Sequence, residues 1–282
     1  MMKEKISIYI PVFNSEKTIK NVINSVFAQS KKFNEIIVVN DGSTDKTLKI
    51  LKSYKNIKII NNFKNKGLSA TRNIAIKNCK NKIVANIDSD IVLDKYWLEN
   101  ILKCLKQKKI VMCGGNTQEK FIKNIYNKWR SERYPLNWGN KDILNPPFIF
   151  GSNSIQYKSV WKKVSGYDEK FKTAGDDINY SKKISLIKNS STFYSKNSVC
   201  YHLQNDNLIT LSNRVWRYHS FGYKNSKPSV YRFFKLGIKQ LKILLLRYIK
   251  NIINLNFKYF YIDLIVFILF IIFEFNNILK KK

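Results

Sequence analysis

The sequence predicts an α/β fold with a doubly wound, mostly parallel sheet flanked by helices. Two observations predict it. Short continuous apolar runs alternate with runs of helical periodicity, one pair every roughly 25 to 30 residues, as βα units require. The acidic and glycine-bearing motifs also fall at the carboxyl ends of strands, where such sheets bind ligands. At 282 residues the chain can form one large domain or two smaller ones sharing a core.

The elements follow in order. Ile6–Val12 (ISIYIPV) reads as a buried strand closed by Pro11 and Asn14. Ser15 stands where a helix cap is expected, ahead of Ile19, Val22, Ile23, Val26 and Phe27 at helical spacing. Glu35–Asn40 (EIIVVN) is a second strand, and the polar turn 41–45 leads into a helix carrying Leu48, Ile50 and Leu51. Residues 57–60 form a third strand, 67–79 a helix and 82–87 a fourth strand, which delivers Asp88-Ser89-Asp90 at its end. The second half is less regular. Strands are expected over 109–114, 148–157 and 192–202, a short helix over 160–164, and a helix opened by Asp176-Asp177 that runs through Ile187. Residues 116–139 are polar and aromatic, with Trp129, Tyr134 and Trp138, and read equally as a wall, a lid or a packed insertion.

Lys and Arg number 51 against 19 Asp and Glu, a formal charge of +32. Such a charge favours nucleic acid, an anionic membrane surface or a phosphorylated substrate as partner. The chain is also saturated with Lys, Asn and Ile, the coding bias of an AT-rich genome, so charge alone selects none of the three. The cysteines Cys79, Cys104, Cys113 and Cys200 form no C-x-x-C pair and have no zinc-site spacing. No apolar signal-peptide run precedes the first strand, which leads us to expect a cytoplasmic body with reduced thiols.

Asp88 and Asp90, one residue apart after a buried strand, make a hard-oxygen pair suited to Mg²⁺ or Mn²⁺ with a diphosphate completing the shell. A lone D-x-D is more often a solvated turn; its place at a strand end is what gives it weight. Asp41, at the end of the second strand, is placed to accept hydrogen bonds from a base or ribose. A dehydrogenase-type dinucleotide site needs G-x-G-x-x-G after the first strand, and this chain has Pro11-Val12-Phe13-Asn14 there. No P-loop is present either.

Four segments together are more specific than any one of them: Ile10-Pro11-Val12-Phe13-Asn14, Val39-Asn40-Asp41-Gly42-Ser43-Thr44-Asp45, Asn65-Lys66-Gly67-Leu68-Ser69-Ala70-Thr71-Arg72-Asn73 and Ile87-Asp88-Ser89-Asp90. In this order and spacing they resemble the family 2 glycosyltransferases of GT-A fold, among them bacterial enzymes of surface polysaccharide synthesis. The resemblance spans residues 5–205. It implies a nucleotide-sugar-binding half over 1–115 and an acceptor-binding half over 116–210, leaving 211–282 as a basic, apolar helical extension. It also implies that Pro11, Asn14, Asp41, Gly67, Arg72 and Asp88 line the donor, Asp41 contacting the nucleoside and Arg72 facing the phosphates. Asp90 would be the metal ligand, for Mn²⁺ or Mg²⁺. His202 would complete the shell or serve as a structural histidine.

The acceptor half matches as well. Phe150-Gly151-Ser152-Asn153 is similar to the family's strand beside the active site, which places Gly151 and Asn153 at the acceptor or a secondary site. Residues 166–171 (GYDEKF) are similar to a structural turn of the family. Gly175-Asp176-Asp177 is similar to its acidic pair, with Asp176 where Glu is usual and Asp177 as general base. The implied reaction is an inverting, metal-dependent transfer of a sugar from a nucleoside diphosphate, uridine by default, to a hydroxyl of a glycan or lipid-linked acceptor. A polyprenyl-phosphate sugar transferase shares the same donor half and remains an alternative. A basic polyanion-binding protein without catalysis is a second alternative, but it leaves the acids at strand and helix ends unexplained, and no specific nucleic acid is expected. Arg214-Val215-Trp216-Arg217 is only loosely similar to the motif of processive synthases.

The tail has its own character. Residues 232–250 are basic and apolar together, and 257–275 are strongly apolar, interrupted by Lys258, Asp263 and Glu274. The longest uninterrupted run, 264–273, is half of the ~20 residues that a membrane span needs. A peripheral or anchored position at the inner face of the cell membrane is expected, against the alternative of a buried helix pair or a dimer interface.

Overall fold

The computed structural model describes residues 4–221, 228–253, 255 and 257–279. Its sheet begins with four strands, β1 (Ile6–Val12), β2 (Glu35–Asn40), β3 (Lys58–Asn61) and β4 (Ile83–Ile87), ordered β3-β2-β1-β4 and all parallel. Beyond β4 the sheet becomes mixed. β8 (Asn153–Tyr157) is antiparallel to β4 and to β6 (Ile110–Glu119). β6 is parallel to β9 (Ser191–His202), which carries β5 (Ile91–Leu93) and β7 (Ile143–Leu144) in antiparallel pairing. Apart from the β6–β9 pair, the parallel character read from the sequence belongs to the first four strands, where helices cover both faces and force continuous apolar runs.

Those helices are α1 (Ile19–Phe27), α2 (Thr47–Lys52), α3 (Leu68–Asn78), α4 (Trp97–Leu105), α6 (Lys158–Lys163) and α7 (Asp176–Ser185). Strand alternation divides the interior into two cores. Ile6, Ile8, Ile10 and Val12 pack with Val22 of α1 and Leu98 of α4, while Tyr9, Val39 and Val84 pack with Ile76 of α3 and Tyr180 of α7. All four cysteines are free and buried.

Two local expectations need correction. Ser15 does not cap α1: its hydroxyl bonds Ser89 Oγ at 2.7 Å and the Phe13 carbonyl, and the helix starts at Ile19 without a side-chain cap. The strand expected over 148–157 is only β8. Residues 148–152 leave the sheet, because the Gly151 carbonyl accepts from Asn86 and Arg72 side chains and has no ladder partner.

The described residues form two compact units. One holds the sheet, with residues up to Lys120 and Pro135–Gln204; the other combines Phe121–Tyr134 with the chain from Asn205 onward. The second unit is helical: α5 (Ile125–Arg133), α8 (Leu208–Phe221), α9 (Val230–Ile253) and α10 (Phe260–Leu279). Residues 222–227, 254, 256 and 280–282 of the expected extension lie outside the described residues. The aromatic stretch 116–139 is divided, since α5 belongs to the helical unit and Trp138 to the sheet unit.

The helical unit has an apolar core of Trp129, Leu211, Val215, Tyr259, Ile262 and Val266. Among its described residues are three buried charge clusters. Asp206 pairs with Arg130. Asp263 of α10 receives Arg133 (3.1 Å), Arg247 (3.2 Å) and the Trp129 indole N–H (3.1 Å). Glu274 receives Arg232 (2.9 Å), the Ser220 hydroxyl (2.7 Å) and the Trp216 indole N–H (2.9 Å). Both α10 acids therefore face inward with their charges matched, as burial of a carboxylate demands.

Candidate active site

The site forms where β1, β2 and β4 end, each strand delivering one polar segment. Pro11 is tolerated in an interior strand because the β1–β4 register stops at Tyr9 opposite Asn86, so the strand lacks no ladder bond there. Asn14, at φ 48°, accepts from the Thr44 N–H (2.8 Å) and donates its own N–H to Ser43 Oγ (2.9 Å). These bonds join the β1 and β2 loops.

Asp41 is 3% exposed. Its carboxylate accepts from Asn62 Nδ2 (2.8 Å), the Lys66 N–H (2.9 Å) and the Gly67 N–H (2.9 Å). Three of the about four lone-pair positions of a carboxylate are spent on the loop before α3. Asp41 thus holds the loop before α3, with one acceptor position of its carboxylate left over. Gly67 begins α3 at φ +94°, and a Cβ there would come within 3.0 Å of the Lys172 backbone, so the position is reserved for glycine.

Arg72 does not face outward to phosphates. It lies on the buried side of α3, is 2% exposed, and its guanidinium bonds Asp88 Oδ1 (2.9 Å), the Gly151 carbonyl (2.9 Å) and Asp176 Oδ2. Two carboxylates turn it inward because a buried guanidinium needs that compensation. Gly151 is the second hub. Its carbonyl accepts from Arg72 and Asn86, its N–H donates to Asp177 Oδ2 (3.2 Å), and a Cβ there would collide with the Arg72 guanidinium. The neighbouring Ser152 carbonyl accepts the Asp88 N–H (3.1 Å). Asp88 and Asp177, distant in sequence, are therefore pinned to one two-residue segment.

The electrostatics follow from this crowding. Burial pushes the Asp88 carboxyl up to about 6 against the pull of Arg72, with Asp90 adding to the rise. Burial together with repulsion from Asp176 pushes Asp177 up to about 6 as well, although Arg72 and the N–H groups of Gly151 and Ile178 favour its charge.

Asp90 sits beside His202, its Oδ2 being 3.3 Å from His202 Nε2 and 2.9 Å from Gln204 Nε2. The opposite ring nitrogen of His202, Nδ1, is 3.1 Å from Glu119. Burial lowers the affinity of His202 for a proton, but the two flanking carboxylates overcome it and its pKa is raised. A carboxylate oxygen and, when unprotonated, an imidazole nitrogen side by side form a donor pair that suits Mn²⁺ better than Mg²⁺, which prefers oxygen alone. Among the described residues no three of His, Cys, Asp and Glu are grouped as a metal cage. An ion at this pair would need oxygens from a ligand to complete its shell.

Asn153 is brought near but not into the site. It is fully buried, accepting from Trp97 Nε1 (2.7 Å) and donating to Cys200 Sγ (2.9 Å) and Thr117 Oγ1 (3.3 Å), so it fastens β8 to α4, β6 and β9 and offers nothing to an acceptor. Sequence reading missed Asn86, Glu119 and Gln204. Asn86 had a signal, as the one polar side chain in the buried strand IVANI. Glu119 had none: it meets His202 only after register shifts in the β6–β9 ladder.

Comparisons with known proteins bear on the family and the fold. Residues 7–167 match the model described as glycosyl transferase family 2. The chain belongs to that family, and its fold is the GT-A fold of a glycosyltransferase. It is 26% identical to the chondroitin synthase of Escherichia coli over 245 residues, 84% of this chain but 34% of that protein. The chain thus spans about a third of that relative's length. The fold is similar to S. aureus TarS 1–349 in complex with UDP, with a TM-score of 0.57 at 20% identity over 78% of this chain and 73% of the other. It is also similar to the mannosyltransferase PcManGT from Pyrobaculum calidifontis in complex with GDP-Man and Mn²⁺, with a TM-score of 0.64 at 12% identity over 100% and 89%.

Proposed function

We propose that the chain transfers a sugar from a nucleoside-diphosphate donor to a hydroxyl of a glycan or lipid-linked acceptor, with inversion and with a divalent metal ion, at the inner face of the cell membrane. The observation that carries this reading is the shared anchorage of Asp88 and Asp177 on Gly151 and Ser152. It holds a donor-side carboxylate and a candidate base at a fixed separation, as a single in-line displacement requires.

In this mechanism Asp177 accepts the proton of the acceptor hydroxyl, a role suited to a carboxyl raised to about 6, which is ionised at neutral pH yet more basic than an exposed aspartate. The acceptor oxygen then attacks the anomeric carbon and the nucleoside diphosphate departs. Arg72 orients Asp88 toward the donor and neutralises Asp176 behind the base. Asp90 and His202 would hold Mn²⁺ or Mg²⁺, whose contribution when bound is to stabilise the charge of the departing diphosphate. Asp41 and Gly67 shape the nucleoside floor, with uridine as the base. Pro11 and Asn14 set the adjoining loop.

The test is a thermal-shift screen of purified protein against UDP, GDP, CDP and dTDP, with and without Mn²⁺, on wild type and Asp90→Asn. A ligand that binds the folded state raises its apparent stability. We expect a shift for one nucleotide that requires both Mn²⁺ and Asp90. Equal stabilisation by every polyanion, with no preference among nucleotides, would sink the reading.

A further inference from the structure

α10 is 20 residues long and apolar enough, by length and composition, to cross a membrane. At a helical rise it measures about 30 Å, the thickness of a hydrocarbon core. Its surface shows another arrangement. Tyr261, Leu264, Ile268, Ile272, Phe275 and Leu279 are exposed, at steps of three and four, so they form one ridge. Ile262, Asp263, Val266, Phe270 and Glu274 are buried at the same spacing on the other side. α9 repeats the pattern. Phe234, Ile238, Leu241, Leu245, Ile249 and Ile252 are exposed along one ridge, opposite the buried Arg232, Leu236, Gln240 and Leu244. Lys235, Lys239, Lys242 and Lys250 follow one another along the flank of that ridge, at angular positions between it and the buried side. The two helices pack on each other, with Phe233 against Phe275 (ring centroids 6.1 Å apart) and Tyr248 stacked on Phe260 (3.7 Å).

We propose that the outward ridges of α9 and α10 are a monotopic docking surface for an anionic lipid leaflet, with α10 lying in the plane of the bilayer and not across it. The proposal takes up the membrane position given above and fixes its geometry; it does not depend on the chemistry at Asp177. Two rows of large apolar side chains are more than an isolated soluble surface exposes without a partner. The lysine row beside the apolar ridge of α9 matches the headgroup and acyl layers of an anionic leaflet, which an interfacial helix meets side by side. A second copy of this chain fits less well, because a chain of net charge +32 repels its own kind. Spanning is opposed by the ion pairs. To cross the bilayer alone, α10 would take Asp263 and Glu274 into hydrocarbon and leave Arg133, Arg247 and Arg232 without their carboxylates.

The test uses the full chain. Flotation with phosphatidylcholine vesicles, with and without phosphatidylglycerol, should show binding that needs the anionic lipid and weakens with salt. The Ile238→Glu/Ile268→Glu double variant should lose on the order of tenfold or more in vesicle affinity while keeping the nucleotide-dependent thermal shift of wild type. Orientation is read with Lys258→Cys and Asn276→Cys, at opposite ends of α10, labelled by an impermeant maleimide in inside-out membrane vesicles of the expressing cells. Labelling of both positions from the outer solution is expected. Labelling of one, with the other reached only after detergent, means α10 spans and overturns the proposal. So does unchanged flotation of the double variant. A chain that fails to float but is a dimer dissociated by the same substitutions shows the ridges to be a self-interface, and also overturns it. Absence of any nucleotide response with flotation intact counts against the catalytic reading alone.

Discussion

At Asp177 the proposed chemistry and the stability of the fold pull in opposite directions. Its carboxyl is raised from the ordinary aspartate value of 3.8 to about 6 by burial and by Asp176. A folded-state pKa above the unfolded value means that the folded protein binds the extra proton between about pH 4 and 6, and stability falls as pH rises through that window. Above it, the ionised carboxylate is a standing cost. Asp177→Asn should therefore abolish transfer, by a factor of about 10² or more, yet raise stability at pH 7.5 by about 1–3 kcal/mol. The gain should vanish below about pH 3, under the unfolded value of 3.8, where both states of the wild type are protonated. Thermal unfolding of the two proteins across that range checks it; a variant less stable at pH 7.5 would contradict the burial argument. For the wild type, kcat/KM should fall below about pH 6 as the base is protonated. Arg72 is the complementary residue. It looked like a phosphate ligand in sequence, but it serves Asp88 and Asp176.

Among the elements, α10 carries the clearest lesson. Asp263 and Glu274 read in sequence as interruptions of an apolar tail. In the fold they anchor the helix, since each is buried against arginine and indole donors from other helices. Asp263→Ala would strand Arg133 and Arg247, and should lower stability by about 3–5 kcal/mol, the usual cost of removing one partner from a buried pair. Asp263→Asn keeps an acceptor for Trp129 and should cost less. Denaturant unfolding of the two variants checks both the size and the order; equal, small losses would show that the arginines find water. The β4 strand and the loop at 150–152 show the reverse case, where Asn86, a single polar residue in an apolar strand, was a legible sign that the sheet there must satisfy an outside carbonyl.

For the molecule as a whole the charge of +32 is a field that belongs to no single site. It should produce weak binding to any polyanion that decays steeply with salt. A nucleotide response held by buried groups such as Asp41 and by a metal at Asp90 should persist where the polyanion binding has gone. Titrations of a random-sequence oligonucleotide and of the preferred nucleoside diphosphate with Mn²⁺, at low and high salt, separate the two. Loss of both together would return weight to a polyanion-binding protein.

The sequence by itself determined the α/β class, the four parallel strands and the family, because hydrophobic periodicity and short motifs are local properties. Asp41, Asp88, Asp90 and Asp177 were legible since each closes a strand or opens a helix. What only the tertiary structure decided is how those groups are spent. That Asp41 holds the loop before α3, that Arg72 is neutralised by Asp88 and Asp176, that Asn153 is a core fastener and that His202 lies between Asp90 and Glu119 all depend on contacts between residues far apart in the chain. The same holds for the inward turn of Asp263 and Glu274. A buried polar group takes whichever partner the packing brings to it, and that pairing cannot be read from its neighbours in sequence.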